Sequence, residues 1–153
     1  MIFQHTWKQV LDGTKTQTRR LVKPGEGFNA FPSGWIKDVR VYPDLPLPHS
    51  MIGKIKWAVG RDYAVQPGRG KKAVGRIRIT GIRQERVQDI SIQDAIAEGV
   101  PEQTATYTHP VYRSLSVAAY AKLWNAIHTK PGETWNDNPL VWVISFCLVK
   151  DDE

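Results

Sequence analysis

Three side chains able to take part in chemistry stand close together near the start of the chain: Lys15, Thr18 and Arg20. They offer an ammonium, a hydroxyl and a permanent positive fork. A threonine hydroxyl attacks a carbonyl when a base sits beside it. Lysine is that base only where burial brings its pKa down from about 10.4 towards 7–8. Arginine stays protonated and suits a phosphate or a carbonyl oxygen. The same residues would equally form a basic, solvated connection in which Lys15 simply favours a helix C-terminus.

The elements that must position these residues can be read around them. Phe3, Trp7, Val10 and Leu11 fall at i, i+4, i+7 and i+8, one apolar helical face. Gly13 sits where a helix ends in a left-handed residue. Beyond it Thr16, Thr18 and Arg20 alternate with Gln17, Arg19 and Leu21, which predicts a strand. Residues 51–59 read as a buried strand and 63–66 as a second, short one. The run 73–87 is the clearest strand: Ile77 and Ile79 point one way, Arg76, Arg78 and Thr80 the other, and Gly81 marks a bulge.

A helix start follows at once, with Ser91 as N-cap, Asp94 at the capping-box position and Ile90 stapled onto Ala95. That helix ends around Glu98 and Gly99. A carboxylate there opposes the macrodipole, a local rule-break of the kind that functional sites tolerate. Residues 116–128 predict a second helix, with Val117, Tyr120, Ala121 and Trp124 on one face, stopped by Lys130, Pro131 and Gly132. Residues 139–150 alternate with apolar side chains on both faces, as a central strand does. The order of elements predicts an α+β fold with a curved sheet or small barrel.

A chain of 153 residues is most naturally one domain, here 1–150 followed by an acidic tail at 151–153. Residues 24–50 form a Pro/Gly-rich insertion carrying Phe28, Phe31, Trp35 and Tyr42, aromatics that serve either as loop anchors or as a base-stacking lid. Net charge is +6 and uneven: residues 68–86 hold Arg69, Lys71, Lys72, Arg76, Arg78, Arg83 and Arg86 against the single acid Glu85. Such a strip is either a solvated face or a track for a phosphate backbone.

Several classes drop out. Residues 67–72 lack the glycine of a Walker-type loop at Val65 and its Ser or Thr at Lys72, which argues against nucleoside-triphosphate hydrolysis. Cys147 is the single cysteine, so no disulfide framework is expected. His5, His49, His109 and His128 show no metal-ligand spacing, and neither metal nor cofactor is expected. No apolar run approaches the roughly 20 residues of a membrane span, and no secretory signal opens the chain. The expectation is a cytoplasmic protein, monomeric by default, that does not engage membranes.

The run Gly13-Thr14-Lys15-Thr16-Gln17-Thr18-Arg19-Arg20 fits the G-x-K-x-x-T-x-R signature of the ASCH domain, a relative of the PUA RNA-binding fold. Asp94-Ala95-Ile96-Ala97-Glu98-Gly99 resembles the family's Ala-x-x-Glu helix, and Asn138 to Phe146 resembles its closing strand. The resemblance implies a small β-barrel flanked by helices, with a cleft where these motifs converge.

Some small bacterial ASCH proteins are amidohydrolases that deacetylate N4-acetylcytidine with a lysine, a threonine and a glutamate. Those roles would fall on Lys15, Thr18 and Glu98. Others bind RNA, and one is described as a ribonuclease, so the implied partner is a modified nucleoside or RNA. Candidate substrate-binding residues are Arg19, Arg20, Trp35, Arg69, Lys71 and Arg76. Two proton routes compete. Neutral Lys15 activates Thr18 with Glu98 relaying the proton, or cationic Lys15 covers the oxyanion while Glu98 is the base. The second is electrostatically easier, because a nearby carboxylate favours charged lysine.

Overall fold

In the computed structural model, which describes residues 1–24, 26–29, 35–38, 54–100 and 115–150, the first helix, α1 (Trp7–Asp12), is closed by Gly13 at φ 82°. Only glycine takes that left-handed turn without strain, and it redirects the chain sharply into β1 (Gln17–Leu21). Phe3 is buried ahead of the helix rather than on it. The predicted apolar face therefore begins before helical geometry does.

β2 (Glu26–Asn29), β3 (Trp35–Asp38) and β4 (Lys54–Ala58) form a three-stranded antiparallel sheet in chain order. β5 (Asp62–Val65), β6 (Gly75–Arg86) and β7 (Leu140–Val149) join β1 in a second antiparallel sheet of order β1–β7–β6–β5. β7 is central, as its two apolar faces predict. Val141 and Val143 pack into the helical core, while Trp142 and Ile144 pack with Ile79, Trp57 and Val59. The β6–β7 register slips between Ile79 and Gly81, which places the bulge where glycine interrupts the alternation.

α2 (Ile92–Ala97) begins at Ser91, whose hydroxyl accepts the Asp94 N–H at 3.0 Å. α3 (Leu115–Ile127) buries Val117, Tyr120, Ala121 and Trp124 against Val87, Ile90, Ala95 and Trp135. One layer of helices thus covers one face of the sheet, which is the predicted α+β arrangement.

The expected barrel does not close. Among the described residues the two sheets stay separate, and β1 and β5 each have a single neighbour. A barrel requires both edges to pair. The sheets instead meet through side chains, and two backbone bonds tie the β4–β5 connection to β6: Gly60 N–H to the Ile79 carbonyl at 2.8 Å and Ile79 N–H to the Arg61 carbonyl at 3.1 Å. Most of the 24–50 insertion, including Phe31 and Tyr42, and the 151–153 tail lie outside the described residues. No helix among the described residues is long and apolar enough to cross a membrane.

Candidate functional site

Two backbone bonds fasten the turn after α1 to its surroundings: Lys15 N–H to the Gln9 carbonyl at 2.9 Å, and Thr16 N–H to the Ala97 carbonyl at 2.8 Å. The second brings the end of α2 directly under the turn. Gly99 permits the approach. It sits at φ 99°, and a Cβ there would lie 3.4 Å from the Cβ atoms of Gln9 and Lys15. Glu98, the last residue of the α2 turn, is thereby placed behind Lys15. The Lys15 ammonium donates to Glu98 Oε2 at 2.7 Å and to the Glu98 backbone carbonyl at 2.8 Å. One cation thus answers both the carboxylate and the exposed end of the helix, which resolves the rule-break seen in the sequence. The two side chains are only 4% and 3% exposed.

Arg19 holds the carboxylate from the other side. Its Nη1 donates to Glu98 Oε1 at 3.1 Å and to Gln17 Oε1 at 2.8 Å. Its Nη2 donates to Asp94 Oδ2 at 3.0 Å and to Glu85. Arg83 reaches the same Asp94 and Glu85 from outside. Lys15, Arg19 and Arg83 therefore balance Glu98, Glu85 and Asp94, three charges against three. Charge-assisted bonds of this kind fix geometry as well as charge. Arg19, expected to bind substrate, lines the cavity while its guanidinium is engaged by three carboxylates.

Above this cluster opens a cavity of about 380 Å³. Lys15, Thr18 and Arg20 line it from the turn and β1; Ile2 and Phe3 from the N-terminal segment; Tyr120, Trp124 and His128 from α3; Lys56 and Trp57 from β4. Glu98 is not on its wall. The structure thus brings Lys15, Glu98 and Thr18 into one place, with Glu98 set behind the other two. Among the described residues no hydrogen bond holds the Thr18 hydroxyl, and its side chain is nearly buried.

Burial pushes the Lys15 ammonium below its ordinary pKa. Glu98 opposes that shift, and Arg20 and Arg19 add to it. Burial, then the Glu98 charge, raises the Tyr120 phenol well above its usual value, so it stays a neutral donor. Burial also lowers His128, whose ring stacks on Trp124 at 3.7 Å and 17°. Arg20 donates from Nη2 to the Ile2 carbonyl at 2.7 Å, and its guanidinium lies 5.4 Å from the Phe3 ring centroid.

The remaining candidates lie elsewhere. Arg69, Lys71 and Arg76 are exposed around the β5–β6 connection, do not line the cavity, and are not brought to Lys15. Trp35 is described by its backbone alone, at the start of β3 opposite Ala58. No group of His, Cys, Asp or Glu suited to a metal ion occurs among the described residues. Tyr120 is one of the cavity residues that sequence reasoning missed, because its place on an apolar helix face reads as core. A phenol on such a face carries a polar tip that needs a partner, and that was the available signal.

No family model matches the sequence, and no curated protein matches it. Solved structures do. The ASCH domain of Lactobacillus crispatus is similar with a TM-score of 0.50 and 15% identity, over 93% of this chain and 69% of that one. A DUF984 protein of Enterococcus faecalis is similar with a TM-score of 0.52 and 16% identity, over 95% of this chain and 68% of that one. Identity this low speaks for architecture, and the architecture agrees with the motifs at residues 13–20, 94–99 and 138–146. The chain has the fold of an ASCH domain, with its sheet left open.

Proposed function

We propose that the cavity is an amide-cleaving site acting on an N4-acylated cytosine nucleoside, with Thr18 as nucleophile, Lys15 as proton acceptor and Glu98 as the buried partner of Lys15. The observation that carries this reading is the Lys15–Glu98 pair: its ammonium reaches the cavity that Thr18 lines, while its carboxylate is sealed behind. Fold similarity to an ASCH domain is compatible with a hydrolase.

Of the two proton routes, this arrangement favours the one through lysine. Both Glu98 oxygens are occupied, by Lys15 and Arg19, and neither faces the cavity. Lys15 does, and burial enlarges its neutral fraction. In the proposed step, neutral Lys15 takes the Thr18 proton as Oγ1 attacks the acyl carbon. The C–N bond then breaks, the amine leaves with the proton returned by Lys15, and water releases the acid from the threonyl ester. The Tyr120 phenol and the Arg20 guanidinium are donors within reach of the cavity for the oxyanion or the pyrimidine. Trp57, Trp124 and His128 supply the flat apolar surface that a base needs.

The test is incubation with N4-acetylcytidine and, separately, with a short unmodified RNA, each with and without chelator. Release of cytidine that persists in chelator supports the reading. Tight RNA binding without nucleoside turnover would leave the cluster as a binding site alone.

A further inference from the structure

We infer that the ligand of this cavity carries a phosphate and that Arg20 receives it; the inference rests on the nucleoside reading above and narrows it from nucleoside to phosphorylated nucleotide. Among the described residues Lys15, Arg19, Arg20, Lys23 and Lys56 line the cavity, together with two histidines, and no aspartate or glutamate does.

These cations are not alike. Lys15 and Arg19 are neutralised from behind by Glu98, Glu85 and Asp94. Lys56 reaches Glu26 at 3.4 Å and lies over the Trp57 ring at 4.4 Å. Among the described residues Arg20 has no carboxylate at ion-pair distance, and the Glu98 charge reaches it only through space. Its hydrogen bond goes to a neutral carbonyl, that of Ile2, and its Nε, like that of Arg19, is buried with no partner among the described residues.

A guanidinium has five donors and never loses its charge at working pH. Leaving one half-satisfied in a largely buried wall is costly unless an anion completes it. A carbonyl oxygen would take one bond and leave the charge standing. A phosphate would take two in the fork geometry and cancel the charge. The Phe3 ring under the guanidinium and the Ile2 carbonyl at one edge fix the plane of that fork in advance. Lys23, on the same wall, adds to the positive potential there. A cavity of about 380 Å³ is within the range that holds a small ligand of mononucleotide size.

The phosphate has two sources, the monoester of a free nucleotide or the diester of a strand. The full chain is therefore titrated calorimetrically with N4-acetylcytidine, with its 5′-monophosphate, and with a short RNA containing that nucleoside. Turnover is followed in parallel. The expected result is that one or both phosphorylated probes bind the wild-type protein about tenfold or more tighter than the nucleoside, an advantage that shrinks with added salt and is competed by inorganic phosphate. A gain confined to the mononucleotide identifies a terminal monoester; a gain shared by the RNA identifies the strand. Arg20→Met should abolish the ratio, and Arg20→Lys should keep part of it. Equal affinity of all three probes for the wild-type protein overturns the inference, whether or not the variants fold. Absence of turnover with the ratio intact would instead fault the amidase reading and leave the phosphate site standing.

Discussion

Two basic regions of this protein look alike as sequence and differ completely as structure. Around β1, Lys15 and Arg19 are buried and paired with carboxylates drawn from α2 and β6. Along β6, Arg76 and Arg78 point outwards, and Arg78 is held by Asp62 across a surface pair at 2.7 Å. Water screens the second pair, and pairs of that kind contribute little to stability. Desolvation makes the first expensive to assemble and more expensive to break. The lesson is that a count of charges says little about function, whereas a charge that the fold has removed from water is held there against a cost and therefore marks a candidate site.

Removing Glu98 should break this contrast most violently. Glu98→Ala strands the buried Lys15 and strips Arg19 of one of its three carboxylates, so loss of turnover should come with a loss of roughly 3–5 kcal/mol of stability in denaturant unfolding. The double variant Lys15→Met/Glu98→Leu should recover much of that stability and none of the activity. Thr18→Ala comes next: turnover falls by orders of magnitude while the unfolding curve stays close to wild type, because no described hydrogen bond depends on that hydroxyl.

The pH–rate profile sharpens the assignment of the base. A lysine base works neutral, so the rate should rise with pH through a Lys15 pKa that burial has lowered. Glu98 pulls that pKa upward, and Glu98→Gln should therefore move any residual limb to lower pH. A limb in the acid range of carboxylates would return the role of base to Glu98.

A smaller effect concerns Asp94, whose pKa is lowered: burial resists the shift, and Arg19 and Arg83 drive it. Its contribution to stability should be complete above the unfolded carboxylate value of about 3.9 and be lost as pH falls through the lower folded value. Acid titration of Asp94→Asn against wild type measures it. Smallest of all, neutralising Arg69, Lys71 and Arg76 should leave the melting curve and nucleoside turnover essentially unchanged. If RNA runs along that face, each contact removed should flatten the salt slope of binding by about one unit.

Much of this was legible in the sequence where the determining contacts are local. Gly13 ends α1, Ser91 caps α2, Gly81 marks the β6 bulge, and the doubly apolar run of β7 makes it central. Glu98 stood out as a misplaced anion for a reason that proved physical. What could not be read depends on partners far apart in the chain. Arg19 meets Glu85 and Asp94 across 66 and 75 residues, so its ion pairs could not be read from local spacing. Spacing brings Lys15 and Glu98 into one motif set but does not say which of them faces the cavity. The open sheet was missed because whether an edge pairs depends on register and twist around the whole sheet.

The account stands or falls on hydrolysis at Thr18. The direct measurement is the release of cytidine from N4-acetylcytidine by the wild-type protein and by folded Thr18→Ala, in the presence of chelator. The account predicts turnover by the first and its near-complete loss in the second, with both proteins melting alike. Turnover that survives in Thr18→Ala, or none from well-folded wild type, would contradict it.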